Sequence, residues 1–167
     1  MNALKITVFF IFFSHINIHF SQNNKIIPEP YKQTIKKGFF YSNESPVIIT
    51  ESDFNSAATL LKDALKKLNF KSDKKSKNII KFTTNKNLDV EQYTLSINPK
   101  EIQIEASSNL GALHAFQSLN QLILFNNEKG GLKIQSQEIN DSPRFKYRGM
   151  HLDVGRHMYS VDFIKKY

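Results

Sequence analysis

Residues 93–105 read YTLSI-NPK-EIQIE, two five-residue arms that alternate apolar and polar side chains on either side of Asn98-Pro99-Lys100. In an extended chain successive side chains point to opposite faces, so Leu95 and Ile97 share one face while Thr94 and Ser96 take the other. Asn-Pro starts a turn and both arms keep period two. The stretch therefore predicts an antiparallel hairpin with one wet face and one face that must be covered.

Two helical stretches can supply the cover. From Asp53 to Phe70, the residues Phe54, Ala57, Ala58, Leu61, Ala64, Leu65 and Leu68 recur at three- and four-residue steps. That spacing gathers all seven on one helix face and turns Lys62, Asp63, Lys66 and Lys67 outward. Ser52 or Asp53 is placed to cap the start. A second helix is expected from about Ser108 to Leu124. One stripe runs through Leu110, Leu113, Phe116 or Gln117, Asn120 and Leu124, with Leu119, Leu122 and Ile123 widening it. A helix apolar over so much of its surface is expected to pack on two sides. Further strands are predicted at GFFYS (38–42), PVIIT (46–50), IIKF (79–82) and LKIQSQEI (132–139). The expected domain is α+β, an antiparallel or mixed sheet with two helices on one face, over residues 22–140. No internal repeat is evident.

The first twenty-odd residues follow another pattern. Ile6 to Phe13 is apolar except for Thr7, Lys5 is the only charge before Lys25, and a polar SHINIHFSQNN follows. A basic start and a short apolar run read as a secretory signal peptide, assigned to residues 1–21. The run is too short for a membrane-spanning helix, which needs about 20 apolar residues, and no stable membrane span is expected. With no cysteine in 167 residues, disulfide scaffolds, thiol nucleophiles and cysteine-based zinc sites are excluded. The expectation is an exported protein: periplasmic, outer-surface or secreted. The net charge of +8 resides largely in lysine clusters at 35–38, 65–68 and 71–77. Interspersed with Asp and Asn, these read as solvated faces, and no nucleic-acid partner is expected. The sequons at Asn43 and Asn140 matter only in a glycosylating host.

Ser142-Pro143 breaks the pattern. After it, RGMHLDV (148–154) is less alternating and reads as a strand buried on both faces. Ser160 can cap a helix through SVDFIKKY, with Asp162 favourably placed in the first turn. Strand, loop and helix make the opening βα step of a parallel α/β unit. Such a step cannot bury itself, so residues 141–167 are expected to begin a larger (β/α)8 barrel that the chain truncates.

The run from Asp141 to His157 resembles the start of the catalytic barrel of glycoside hydrolase family 20, the β-N-acetylhexosaminidases. That pattern is close to D-x-PRF-x-x-RG-x-x-LD-x-x-RH. Asp141, Pro143, Arg144, Phe145, Arg148, Gly149, Leu152, Asp153, Arg156 and His157 fit it, with Gly155 where Ala or Ser is usual. IIPEP (26–30) resembles the family's frequent opening, and residues 93–123 resemble the end of its noncatalytic N-terminal domain. The resemblance implies removal of terminal N-acetylhexosamine from an oligosaccharide or glycan, with retention, by a substrate-assisted mechanism that needs no cofactor.

Arg156 is the candidate substrate-binding residue. Chemistry in a parallel barrel sits at the C-terminal ends of its strands, and Arg156 follows the expected strand by two residues. The resemblance gives it the task of gripping sugar hydroxyls, which suits a planar fork of donors. A salt bridge to Asp153 is its structural alternative. Asp153 and His157 are candidate supporting residues, His157 equally placed for a purely structural role. Arg148, at the strand's other end, is expected to pair structurally at the domain junction. His151, Asp153 and His157 make a poor metal trio because His157 lies beyond the strand, and no metal site is expected. His114, alone on a helix, is expected to pack or face solvent. The resemblance implies a later Asp-Glu pair, the Asp steering the acetamide and the Glu acting as acid. No Asp-Glu step and no Trp occur in the sequence, so no catalytic residue is assigned and the 167-residue chain is expected to be inactive. Two alternatives stand beside this reading. One is a noncatalytic exported glycan- or surface-binding module. The other is a different glycosidase barrel, against which the LD-x-x-RH run argues.

Overall fold

A computed structural model describes residues 26–68, 70, 76–125, 127–128 and 131–166. The signal-like residues 1–21 and most of the lysine-rich 71–77 stretch lie outside these. Seven strands form one sheet: β1 (Lys32–Ser42), β2 (Val47–Ile49), β3 (Ile79–Thr84), β4 (Tyr93–Ile97), β5 (Glu101–Ala106), β6 (Asn127–Glu128) and β7 (Gly131–Asp141). Their order is β1-β7-β4-β5-β3-β2, with β6 pairing to the start of β7. β1, β7, β4 and β5 run antiparallel to their neighbours along that half of the sheet, whereas β5, β3 and β2 are mutually parallel. The sheet is mixed and the domain is α+β.

Two helices close the crossovers that these directions require. α1 (Asn55–Lys66) links β2 to β3, and α2 (Asn109–Phe125) links β5 to β7. Both connections join parallel strands and step the same way across the sheet. The right-handed rule for such crossovers therefore puts both helices on one face, where they pack on each other and α2 lies over β4, β5 and β7.

The hairpin is as its alternation predicts. Leu95 faces Ile104 and Ile97 faces Ile102 across the ladder, all four fully buried, while Thr94 and Ser96 stay partly exposed. Each such apolar side chain contributes about 1.5–3 kcal/mol by leaving water. The helix-facing core continues through Ile80 and Phe82 of β3 to the Phe54 ring, whose centroid lies 6.3 Å from that of Phe82. Of the seven stripe positions between Phe54 and Leu68, six are buried and Ala64 packs against them partly buried.

Three expectations need correction. Neither Ser52 nor Asp53 caps α1: both sit in a 3-10 turn (Ser52–Phe54), and Phe54 takes the N-cap place with no side-chain cap bond. The stripe on α2 is rotated. Ala112, Ala115, Phe116, Leu119, Leu122 and Ile123 are buried, whereas Leu110 and Leu124 are exposed. Small alanines let the helix lie close to the sheet, and they, rather than the larger leucines at its two ends, define the inner face. The expected strand at 148–154 does not form: these residues join no ladder, and Met150 and Val154 are exposed. A strand buried on both faces needs a neighbour on each edge, and the described residues offer it none. The short helix α3 (Val161–Lys166) does follow, and the backbone N–H of Phe163 donates to Ser160 Oγ at 3.2 Å.

Candidate functional site

Four segments converge beside α2: residues 26–31, the loop before β4, the end of β7, and the chain from Pro143 to Arg148. Between them lies a cleft of about 250 Å³ bordered by Ile27, Pro28, Tyr93, His114, Asp141 and Arg148. Each segment is fixed by polar contacts. The Gln121 side chain on α2 pairs with the Ile27 backbone twice, accepting from its N–H and donating to its carbonyl, both at 2.9 Å. The Tyr31 N–H donates to Asp141 Oδ1 at 2.9 Å, and Arg144 donates to the Glu29 carbonyl at 3.0 Å.

The charged centre is Glu91. Its Oε1 accepts from Arg148 Nη2 at 2.5 Å and lies 3.2 Å from His114 Nε2. Hydrogen bonding from Arg148, then from His114, holds its carboxyl below the ordinary glutamate range. Arg148 also donates through Nη1 to the Phe145 carbonyl at 2.6 Å. The floor is Tyr93, whose hydroxyl lies 2.6 Å from Ser118 Oγ and 3.4 Å from Asp141 Oδ2. Burial pushes this phenol well above its ordinary range, so it stays protonated.

Arg148 thus has a structural partner, Glu91, as expected, in the chain just beyond the end of β7. His114 is half-exposed but engaged by Glu91. Arg156 is 87% exposed, and its Nε lies 3.3 Å from Asp153 Oδ2. Asp153 Oδ1 accepts from the Gly155 N–H at 2.8 Å. The structure therefore brings Arg156 and Asp153 together, while His151 and His157 stand exposed. Among the described residues no group of three His, Asp or Glu side chains could hold a metal ion. No helix among them is long and apolar enough to cross a membrane. Asn140, in the second sequon, lies in the β7 ladder and accepts from Thr94 Oγ1 at 2.8 Å. Sequence reasoning missed Glu91: a single acid in a loop carries no periodicity, and only the unassigned partner of Arg148 pointed towards it.

Comparison with known proteins agrees with this architecture. Residues 23–142 match the family described as Glycosyl hydrolase family 20, domain 2. The chain is 35% identical over 144 residues to a beta-hexosaminidase of Vibrio furnissii, covering 84% of this chain and 23% of that protein. Over 76 residues it is 38% identical to beta-hexosaminidase A of Caenorhabditis elegans, covering 46% and 14%. Among solved structures, the family 20 exo beta-N-acetylglucosaminidase of Vibrio harveyi, in complex with N-acetylglucosamine, superposes with a TM-score of 0.71 at 33% identity. That match covers 84% of this chain and 22% of the enzyme. The beta-N-acetylhexosaminidase of Bacteroides fragilis gives 0.69 at 30% identity, covering 86% and 30%. The chain thus spans less than a third of each of these relatives. It belongs to glycosyl hydrolase family 20, with residues 23–142 as its domain 2.

Proposed function

We propose that these residues are the N-terminal part of an exported β-N-acetylhexosaminidase, in which the α+β domain supports a catalytic barrel in cis. The observation that carries the reading is the 35% identity over 144 residues to a beta-hexosaminidase, taken with the LD-x-x-RH run. The exposed leucines of α2, Leu110 and Leu124, support a further neighbour on the helix layer. On this reading residues 1–21 are a signal peptide, 22–140 the supporting domain and 141–167 the start of the barrel. Export rests on the basic start at Lys5 and the apolar run from Ile6 to Phe13.

The substrate is a glycan or oligosaccharide with a terminal N-acetylhexosamine, and no cofactor takes part. The acetamido oxygen of the sugar attacks its own C1 while a carboxylic acid protonates the leaving oxygen. Water, giving a proton to the carboxylate so formed, then attacks C1 of the cyclised sugar and releases the acetamide, and the two inversions give net retention. That acid belongs to an Asp-Glu pair outside these 167 residues. Arg156 leaves Asp153 for the sugar hydroxyls once strand 148–154 has neighbours, and His157 is the residue beside it that orients it.

The reading frame continued beyond Tyr167 provides the test. Its product is expected to release N-acetylglucosamine as the β-anomer first, seen by proton NMR during hydrolysis of an N-acetyl-β-glucosaminide. Arg156→Ala is expected to lower kcat/KM by about a hundredfold or more, corresponding to loss of roughly 3 kcal/mol of transition-state binding. Failure of the continued product to release any N-acetylhexosamine would sink the proposal.

A further inference from the structure

We propose that Glu91 is the receptor for Arg148, a positioning contact that fixes where the segment leading to Arg156 leaves the α+β domain. Three parts of the chain far apart in sequence meet on one carboxylate. Glu91 comes from the loop before β4, His114 from the first half of α2, and Arg148 from beyond β7, with both partners on Glu91 Oε1. Asp141, the acid that borders the cleft, is occupied by the Tyr31 N–H and the Tyr93 hydroxyl. Glu91 is therefore the carboxylate that meets this guanidinium.

The contact constrains direction as well as distance. Arg148 spends Nη2 on Glu91 and Nη1 on the Phe145 carbonyl three residues back, so one planar group ties the turn at 145–148 to the domain. A lysine has a single charged nitrogen and no such fork. Arg144, at the start of the same turn, reaches the Glu29 carbonyl. The turn is thus strapped at both ends while Phe145 itself is 73% exposed. Apolar packing does not hold it, and the straps do. The importance of this position for sugar binding rests on the proposed role of Arg156; the clamp itself does not.

Backbone nitrogen-15 relaxation of the 167-residue chain, read at residues 144–149, tests the clamp without any assay of hydrolysis. Glu91→Gln keeps size and shape but removes the charge. It is expected to lower the order parameters across 144–149 from the rigid range of about 0.85 to below about 0.6, while those of the 93–105 hairpin stay unchanged. Arg148→Lys, which also loses the bond to the Phe145 carbonyl, is expected to lower them at least as far, and the double variant no further than Arg148→Lys alone, because Glu91 acts on this segment through Arg148. The Arg148 Nη protons should give separate NMR signals in the parent at neutral pH and merge in Glu91→Gln as the guanidinium rotates freely. Unchanged order parameters at 144–149 in Glu91→Gln, an equal drop in the hairpin, or a double variant that falls further than Arg148→Lys would each overturn the proposal. Hexosaminidase activity can fail with the clamp intact, and the clamp can fail with activity intact.

Discussion

Tyr93 shows how much a single side chain decides in this domain. It begins β4, is 1% exposed, and carries its hydroxyl among Ser118 and Asp141. A buried hydroxyl without a partner costs more than its bond contributes, so the cluster exists as a set. Tyr93→Phe leaves the buried Ser118 without this partner. We expect a loss of about 1–2 kcal/mol in stability, read from urea unfolding, with the slope of the transition unchanged. The apolar half of this arrangement is legible in the sequence, because Tyr93, Leu95 and Ile97 alternate with polar neighbours. The polar half is not. Ser118, Asp141 and Glu91 lie 25, 48 and 2 residues from Tyr93, and nothing in a linear pattern says which polar groups will meet. For the same reason Arg148 could be expected to pair at a junction without its partner being identifiable.

At the scale of elements, regular periodicity is readable where one face meets one neighbour and misleading where two faces do. α1 shows the first case: its stripe turns a single side to the core. α2 shows the second. Its Phe116 and Ile123 border a groove shared with Leu60 and Ala64 of α1 and with Leu68 just beyond it, while Ala112, Ala115, Leu119 and Leu122 are also buried. Counting large leucines alone rotates the helix. A glycine marks the true inner side. A Cβ at Gly111 would lie 2.5 Å from the Gln92 carbonyl oxygen and 3.2 Å from the Ala106 Cβ. Gly111→Ala must therefore push the first turn of α2 off the sheet, against its gain in helix propensity of about 1 kcal/mol. We expect a net loss of roughly 1–3 kcal/mol, as for other overpacked positions, visible as a lowered Tm in calorimetry. On the far edge, Gly38 adopts φ +99° where the β1–β7 register shifts between Ile35 and Phe39. Gln135 donates to the Lys36 and Gly38 carbonyls across this irregularity. Strand GFFYS is readable from its aromatic residues. Its extension back to Lys32 is not, because the bulge breaks the alternation between the two halves.

Across the whole molecule, two crossovers of the same hand place both helices on one face and leave the polar side of β4 and β5 on the other. The helix layer keeps Leu60, Leu110 and Leu124 at its surface, and the residues from Pro143 onward run out from a strapped turn without a sheet to join. The mixed α+β architecture is legible because each element announces its own burial. The fate of 148–154 is not: the run reads as a strand, but a strand buried on both faces needs neighbours, and among the described residues it pairs with none. In the proposed function, the domain carries and orients chemistry completed elsewhere. The most direct measurement compares the 167-residue chain with the product of the continued reading frame, at equal concentration, for release of 4-nitrophenol from 4-nitrophenyl N-acetyl-β-glucosaminide. All hydrolysis is expected to belong to the longer product, with the 167-residue chain matching the buffer rate. Turnover by the 167-residue chain alone, or none by the longer product, would contradict that division of labour.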